Sequence, residues 1–543
     1  MWTRDGVRLD ADVYRHFSSQ RLPVLLMRQP YGRRIASTVC YAHPWWYAAQ
    51  GYVVVIQDVR GRGTSEGEFD LFVHEAEDGA DAVAWVAELR GANGAVGVYG
   101  FSYQGTAQLP AATRSGSALK TLAPAMIGWD LRNDWACEND AFCLQSNLSW
   151  ATQIGAETAR LAGDAEAFAE LYAASRSLPV NGARPVRPSF IEQYARYTHY
   201  GAWLACRDDE AYWRSMSPAA LAADVDLPML FVGGWYDTHF SGTLAGYRHY
   251  ATAATAPTRL VVGPWAHLPW GRFLAGTDFG SDAVSDIDRL QVGWFDYWLK
   301  GRDSGALAAP PVQLFEMGRN TWREFDCWPV GHASLYLTGD SQTSVDERSG
   351  HLVETPPDAS QTDWLVHDPW RPAPSVGGAF GTPPGPADRS MIDARGDVLT
   401  FTTPPLTREL RLAGEVAAHL WLACDAPSFN LCCTLSRVSP SGRALVLTQG
   451  YRRVVPGTRL DRAIEIPMRA TCASIEPGEA LRLSIAAACF PAYPVNPGNG
   501  LDPVYASLDE ARIITIGVRH GGNVVSSVRL PIVAEAQLRG VGR

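Results

Sequence analysis

No run of Lys or Arg in this chain exceeds three residues, and the formal net charge is −10. Nucleic-acid binding relies on a basic stripe that neutralises phosphates, so a nucleic-acid partner is excluded. The negative balance is a matter of solubility. Long apolar runs are missing too: Leu22 to Met27 and Tyr52 to Ile56 are strand-sized, far short of a bilayer span, so no membrane partner is expected. The ten cysteines in 543 residues are too few for a disulfide scaffold. Cys432 and Cys433 are adjacent and Cys137 lies six before Cys143, with no CxxC and no His at zinc-ligand spacing. Both pairs read as buried thiols, and neither a metal nor a cofactor is expected. The opening Met1-Trp-Thr-Arg-Asp-Gly has no basic segment leading into an apolar one. No secretory signal is therefore expected, and the expected location is cytoplasmic.

What is present is an ordinary globular composition, 46% hydrophobic and 19% charged, in a chain too long for one core and suited to two to four domains. Within it, Val98-Tyr-Gly-Phe-Ser-Tyr-Gln and then Gly105 place a serine between two glycines, after an apolar strand and before an alanine-rich helical stretch. A serine hydroxyl is a poor nucleophile at neutral pH. Catalysis requires it to be lifted out on a tight strand-to-helix turn, beside a base and the N–H groups of a helix start. Gly100 and Gly105 leave room for that turn. Such a string is common by itself, and its meaning depends on partners. Two later apolar runs supply them: Leu227-Pro-Met-Leu-Phe-Val-Gly-Gly-Trp-Tyr-Asp237 and Thr258-Arg-Leu-Val-Val-Gly-Pro-Trp-Ala-His267. Either terminal residue alone reads as a turn or satisfied polar residue. The order Ser102, Asp237, His267, each at the end of a strand, is that of an α/β-hydrolase.

With these motifs in place, the chain resembles the cocaine esterase and Xaa-Pro dipeptidyl-peptidase family of serine hydrolases, which also holds α-amino-acid ester hydrolases and glutaryl-cephalosporin acylases. The resemblance runs nearly end to end. It is carried by Thr3-Arg-Asp-Gly-Val-Arg-Leu, Asp12-Val-Tyr-Arg15, Arg28-Gln-Pro-Tyr31, Val55-Ile-Gln-Asp-Val-Arg-Gly61 and Ser65-Glu-Gly-Glu-Phe69, and then by the three segments above. Trp294-Phe-Asp-Tyr-Trp-Leu-Lys-Gly301, Pro440-Ser-Gly-Arg-Ala444 and Phe490-Pro-Ala-Tyr-Pro-Val-Asn496 complete it. The resemblance implies Ser102 as nucleophile, Asp237 as acid and His267 as base. It also implies an oxyanion hole formed by the Tyr31 hydroxyl and the backbone N–H of Tyr103. A phenol donates without carrying charge, so it suits a dry site in which a carbonyl oxygen turns negative.

The expected architecture is an α/β hydrolase with an inserted helical cap and a C-terminal all-β jelly-roll domain. Residues 1–127 and 226–305 alternate strands and helices, including a helix from Glu75 to Leu89, and form the two parts of the core. Residues 128–225 form the cap. There Asp164 precedes a helix with Phe168, Leu171 and Tyr172 on one face, and Pro188-Ser189 precede another with Phe190, Tyr194 and Tyr197. From 306 to 543 strands follow one another between Pro- and Gly-rich turns, and the family places the jelly roll there. The irregular stretch from Asp368 to Asp388 is long enough to be functional, and since it reaches toward the acyl pocket in the related esterases, the resemblance implies Phe380 as a wall residue there.

Substrate class turns on the cap and on the residues after Asp237. In the α-amino-acid ester hydrolases three carboxylates hold the substrate ammonium. Gly128-Trp-Asp-Leu-Arg-Asn-Asp-Trp135 resembles the segment that carries one of them, at Asp134. The other two are missing, because Thr238, His239 and Phe240 follow Asp237. His239 and Phe240 instead suggest a mixed wall for an uncharged acyl group, and Trp135 matches a tryptophan of the cocaine esterase acyl pocket. Ser428-Phe-Asn-Leu431 departs from the Asp-x-Asp-Phe of relatives, so an interdomain contact is expected to differ. The expected function is acyl-ester hydrolysis, or amide hydrolysis, through an acyl-enzyme on a small-molecule substrate. Two alternatives stand beside it: an aminopeptidase or amino-acid ester hydrolase anchored at Asp134, and a non-catalytic binding protein. A homo-oligomer is left open.

Overall fold

The computed structural model describes residues 1–34, 39–533 and 539–540. Its first body is built on a ten-stranded sheet. Seven neighbouring strands run parallel, in the order 53–58, 22–29, 92–101, 119–125, 229–236, 258–266 and 312–316. Val53–Asp58, Met229–Tyr236 and Thr258–Ala266 are buried at every residue, as strands covered by helices on both faces must be. The helix Glu75–Ala87 packs on one face through Ala82, Val83 and Val86, and Ile287–Lys300 packs on the other through Trp294 and Phe295.

The sheet does not stop where the alternating strand–helix pattern of the sequence does. Val312–Glu316 pairs parallel to the histidine strand and Thr321–Phe325 pairs antiparallel to it in turn, so the expected break at residue 305 falls inside a hydrogen-bonded sheet.

The region expected as a cap is largely helical. Leu144–Leu161 and Ala165–Arg176 pack side by side, and the Asp164 carboxylate accepts from the Ala167 N–H at 3.0 Å to start the second helix. Leu171 is buried, but Tyr172 is 53% exposed and so lies off the packed face. The second expected helix is broken. Ser189–Gln193 ends after five residues and a short 3₁₀ turn over Ala195–Tyr197 follows, because Arg196 and the Tyr197 hydroxyl are both drawn to Asp164.

The remaining C-terminal residues form an all-β domain. Its longest strand, Leu410–Cys424, pairs with Ile464–Ile475 over its first part and with Ile514–His520 at its end, with a bulge between Gly414 and Val416. The strand pairs are antiparallel apart from His351–Val353 with Val398–Thr402. Between His367 and Ser390 the chain carries no helix or strand, as expected of the stretch from 368 to 388. The paired cysteine positions are buried and free. Among the described residues, no helix is long and apolar enough to cross a membrane.

Candidate active site

The strand Ala92–Phe101 ends at Ser102, which has φ 59° and ψ −128°. That region disfavours any side chain other than glycine, so the serine sits in a strained turn that its surroundings must enforce. They do so at close quarters. A Cβ on Gly100 would stand 2.5 Å from the Gln104 side chain, and one on Gly105 would stand 2.7 Å from the Ala125 carbonyl. Both expected glycine clearances are real. The Ser102 N–H is held by the Ala125 carbonyl at 2.9 Å, and the helix starts at Tyr103.

The turn aims the hydroxyl at His267. Its Nε2 lies 3.0 Å from Ser102 Oγ, and its Nδ1 lies 2.8 Å from Asp237 Oδ1. The imidazole hangs from the end of the strand Thr258–Ala266 and the carboxylate from the end of Met229–Tyr236, so neighbouring parallel strands set the spacing. Asp237 is fully buried, and burial works to raise its pKa. The hydrogen bond and charge of His267 outweigh that and hold the carboxyl below its ordinary value.

Tyr31 follows the strand Leu22–Gln29 and is half-buried. Burial raises its phenol, offset in part by the Trp150 indole N–H and the nearby Ser102 hydroxyl, so it remains a neutral donor beside the serine. The Trp150 indole N–H donates to the Tyr31 oxygen at 3.1 Å, which leaves the phenol proton for another acceptor. The N–H of Tyr103 opens its helix, where intrahelical acceptors are lacking. Its side chain is anchored in the opposite sense: the hydroxyl donates to Glu75 at 2.9 Å, and Glu75 is paired with buried Arg28.

The substrate-side residues divide. Trp135 stands edge-on to Trp150 at 5.7 Å and to Trp203 at 5.0 Å, in an aromatic cluster that continues through Tyr103. His239 lies 5.0 Å from the His267 ring. Burial, reinforced by His267, lowers its pKa to about 3. Phe380 is buried beneath the Arg469 guanidinium and edge-on to Tyr493. Phe240 is a correction. It is 1% exposed, its ring packs edge-on to Trp235, and it belongs to the core rather than to a wall of the site. It opens the helix Phe240–Ala253, so its side chain is turned inward, away from the loop that carries His239. Asp134 is placed near the site, but its carboxylate accepts the N–H groups of Trp129, at 3.1 Å, and Asp130, at 2.8 Å. Burial raises its pKa well above the ordinary value.

Three residues of this neighbourhood escape a linear reading: Trp150, Glu138 and Arg469. Trp150 and Arg469 are remote in sequence from the groups they touch, Tyr31 and Asp237. Arg469 does leave a trace, since it is a lone charge in the buried run Met468-Arg-Ala-Thr-Cys-Ala473.

A parallel α/β sheet that presents serine, histidine and aspartate in hydrogen-bonded line has the arrangement of a serine hydrolase of the α/β class. The profile of the X-Pro dipeptidyl-peptidase (S15 family) matches residues 5–269, and that of the X-Pro dipeptidyl-peptidase C-terminal non-catalytic domain matches residues 304–523. The chain is 30% identical to the cocaine esterase of Rhodococcus sp. (strain MB1 Bresler) over an alignment covering 98% of this chain and 97% of that one. It belongs to this cocaine esterase and X-Pro dipeptidyl-peptidase family, and it is a serine hydrolase. The fold is also that of an α-amino acid ester hydrolase, with TM-score 0.81 and 21% identity over 98% of this chain and 95% of that one. An aminopeptidase from a marine sediment archaeon (Thaumarchaeota archaeon) matches with TM-score 0.80 and 22% identity over the same shares.

Proposed function

We propose that this serine hydrolase cleaves an ester of an uncharged acyl group through an acyl-enzyme, with Ser102, His267 and Asp237 as its triad. The observation that carries the reading is the unbroken line from Ser102 Oγ to His267 Nε2 at 3.0 Å and from His267 Nδ1 to Asp237 at 2.8 Å. In this reading Ser102 Oγ attacks the carbonyl carbon while His267 Nε2 takes its proton. The carbonyl oxygen, now negative, accepts from the Tyr31 hydroxyl and the Tyr103 N–H. His267 then returns the proton to the departing alkoxide, and the acyl group stays on Ser102. Water, deprotonated by His267, releases the acid by the same steps in reverse. Tyr31→Phe is expected to lower kcat by about 10²–10³-fold with little change in KM, the usual loss for one oxyanion donor. Full activity in that variant would remove Tyr31 from the oxyanion hole.

The amino-acid ester and aminopeptidase reading needs a carboxylate free to meet an ammonium. Asp134 already accepts two backbone N–H groups, and the nearby Glu138 is bound by Arg469 at 2.8 Å. A substrate ammonium would enter beside a buried guanidinium and have no unspent counter-charge. These contacts favour an acyl group without an α-amino substituent. The test is the initial rate on matched esters of phenylacetic acid and phenylglycine, with Ser102→Ala as blank. Faster turnover of the phenylacetate is expected, and Asp134→Asn should leave the ratio of the two unchanged. A strong phenylglycine preference, with KM for that ester alone raised by Asp134→Asn, would reverse the assignment.

A further inference from the structure

Arg469 lies in the strand Ile464–Ile475 of the C-terminal β domain, yet its side chain ends at the triad. It is 8% exposed. Nη1 donates to the main-chain carbonyl of Asp237 at 3.0 Å, while Nη2 meets Glu138 Oε2 at 2.8 Å. The Tyr493 hydroxyl donates to the same Glu138 oxygen at 3.0 Å, and the guanidinium lies 4.7 Å above the Phe380 ring. A buried arginine needs all its faces occupied, and here three parts of the molecule occupy them: the Asp237 loop, the cap at Glu138, and the β domain at Phe380 and Tyr493. Burial alone would lower its pKa, but the Glu138 carboxylate opposes this and the net shift is upward, so the guanidinium stays charged. Among the described residues, no other charged side chain donates a hydrogen bond to the Asp237 main chain.

We infer that Arg469 is a positioning residue for catalysis: the β domain uses it to fix the loop that carries Asp237, and Glu138 balances its charge. The inference rests on the triad reading above. It concerns a residue that does not touch the substrate, so its signature is electrostatic as well as geometric. The groups facing His267 are Ser102 and Phe101 from the nucleophile turn, and Asp237 and His239 from the acid loop. Tyr31 stands beside Ser102, and Arg469, Glu138 and Asp134 form the next layer out. Removing the fixed positive charge favours a protonated imidazole, and removing the fixed negative charge disfavours it.

The experiment compares full-length Arg469→Met, Glu138→Gln, the double variant and Arg469→Lys with Ser102→Ala. Readouts are kcat, KM and the acid limb of the kcat/KM profile on a phenylacetate ester, with active sites counted by a fluorophosphonate. Arg469→Met should lose on the order of 10–100-fold in kcat per active site with KM little changed, the scale of a catalytic group misplaced by about an ångström. Its acid limb should move to higher pH by roughly half a unit or more. Glu138→Gln should move the limb the opposite way, the double variant should bring it back, and Arg469→Lys should keep it at the wild-type position. If Arg469→Met does not fold, Glu138→Gln and Arg469→Lys still carry the charge test. Limbs that stay in place while Ser102→Ala is inert would overturn the positioning role and leave the triad reading intact. An active Ser102→Ala would remove the triad reading, and this inference with it.

Discussion

Ser102→Ala should lower turnover of an activated ester by about a millionfold, the scale on which triad nucleophiles matter. The strained turn makes the expectation specific. Ser102 holds φ 59° because the Ala125 carbonyl, Gly100 and Gly105 leave no other path, and alanine carries the same Cβ through that path. The variant should therefore fold with an unchanged melting temperature and lose only the oxygen that faces His267. A fluorophosphonate should label the wild type to one equivalent and leave the variant unlabelled. Retention of more than about a thousandth of the activity would exceed what oxyanion donors and binding alone can supply, and would mean another nucleophile.

The second large effect is expected from Asp237→Asn, up to about 10⁴-fold in kcat. The carboxylate accepts from His267 Nδ1, which fixes Nε2 as the free base facing Ser102. The second carboxylate oxygen is buried with no hydrogen-bond partner among the described residues, so an amide at this position can face His267 with either its oxygen or its NH₂. Turning its NH₂ toward His267 selects the tautomer that cannot take the serine proton. In either orientation the charge that stabilises the imidazolium is gone. Fluorophosphonate labelling should slow in parallel with kcat, because both begin with the same proton transfer. A variant that labels at the wild-type rate would show that Asp237 does not orient the base.

The legible parts of this molecule are those in which local sequence and position in the fold coincide. A parallel strand is a short apolar run, and the residue at its carboxyl end faces the site, so Ser102, Asp237 and His267 could be read from three runs and their order. Tyr31 is close to this rule, two residues past its strand. Phe240 shows where the rule ends: three residues beyond Asp237 a helix has begun, and its rotation carries the ring into the core beside Trp235. Periodicity over 189–197 promised one helix, but contacts of Arg196 and Tyr197 with Asp164 prevailed over the local pattern. Trp150 and Arg469 come from a cap helix and a β-domain strand, and only folding puts them beside Tyr31 and Asp237. No spacing rule links such residues. What marks Arg469 is its cost, since a charge in a buried strand requires a partner.

The strand Val312–Glu316, which continues the parallel sheet, has one more consequence. It pairs along Leu260–Val262 of the strand that leads to His267, on a side that would otherwise expose a row of unpaired N–H and C=O groups. Met317, the residue after it, exchanges backbone hydrogen bonds with Cys472 and Ser474 of the β domain, at 3.0 Å and 2.8 Å. A fragment ending at residue 305 would keep Ser102, Asp237 and His267 yet present the histidine strand as a bare edge, open to pairing with another chain. The segment between the two halves is thus a seal on the catalytic half as well as a tether, and the two halves are poor candidates for exchange as independent modules.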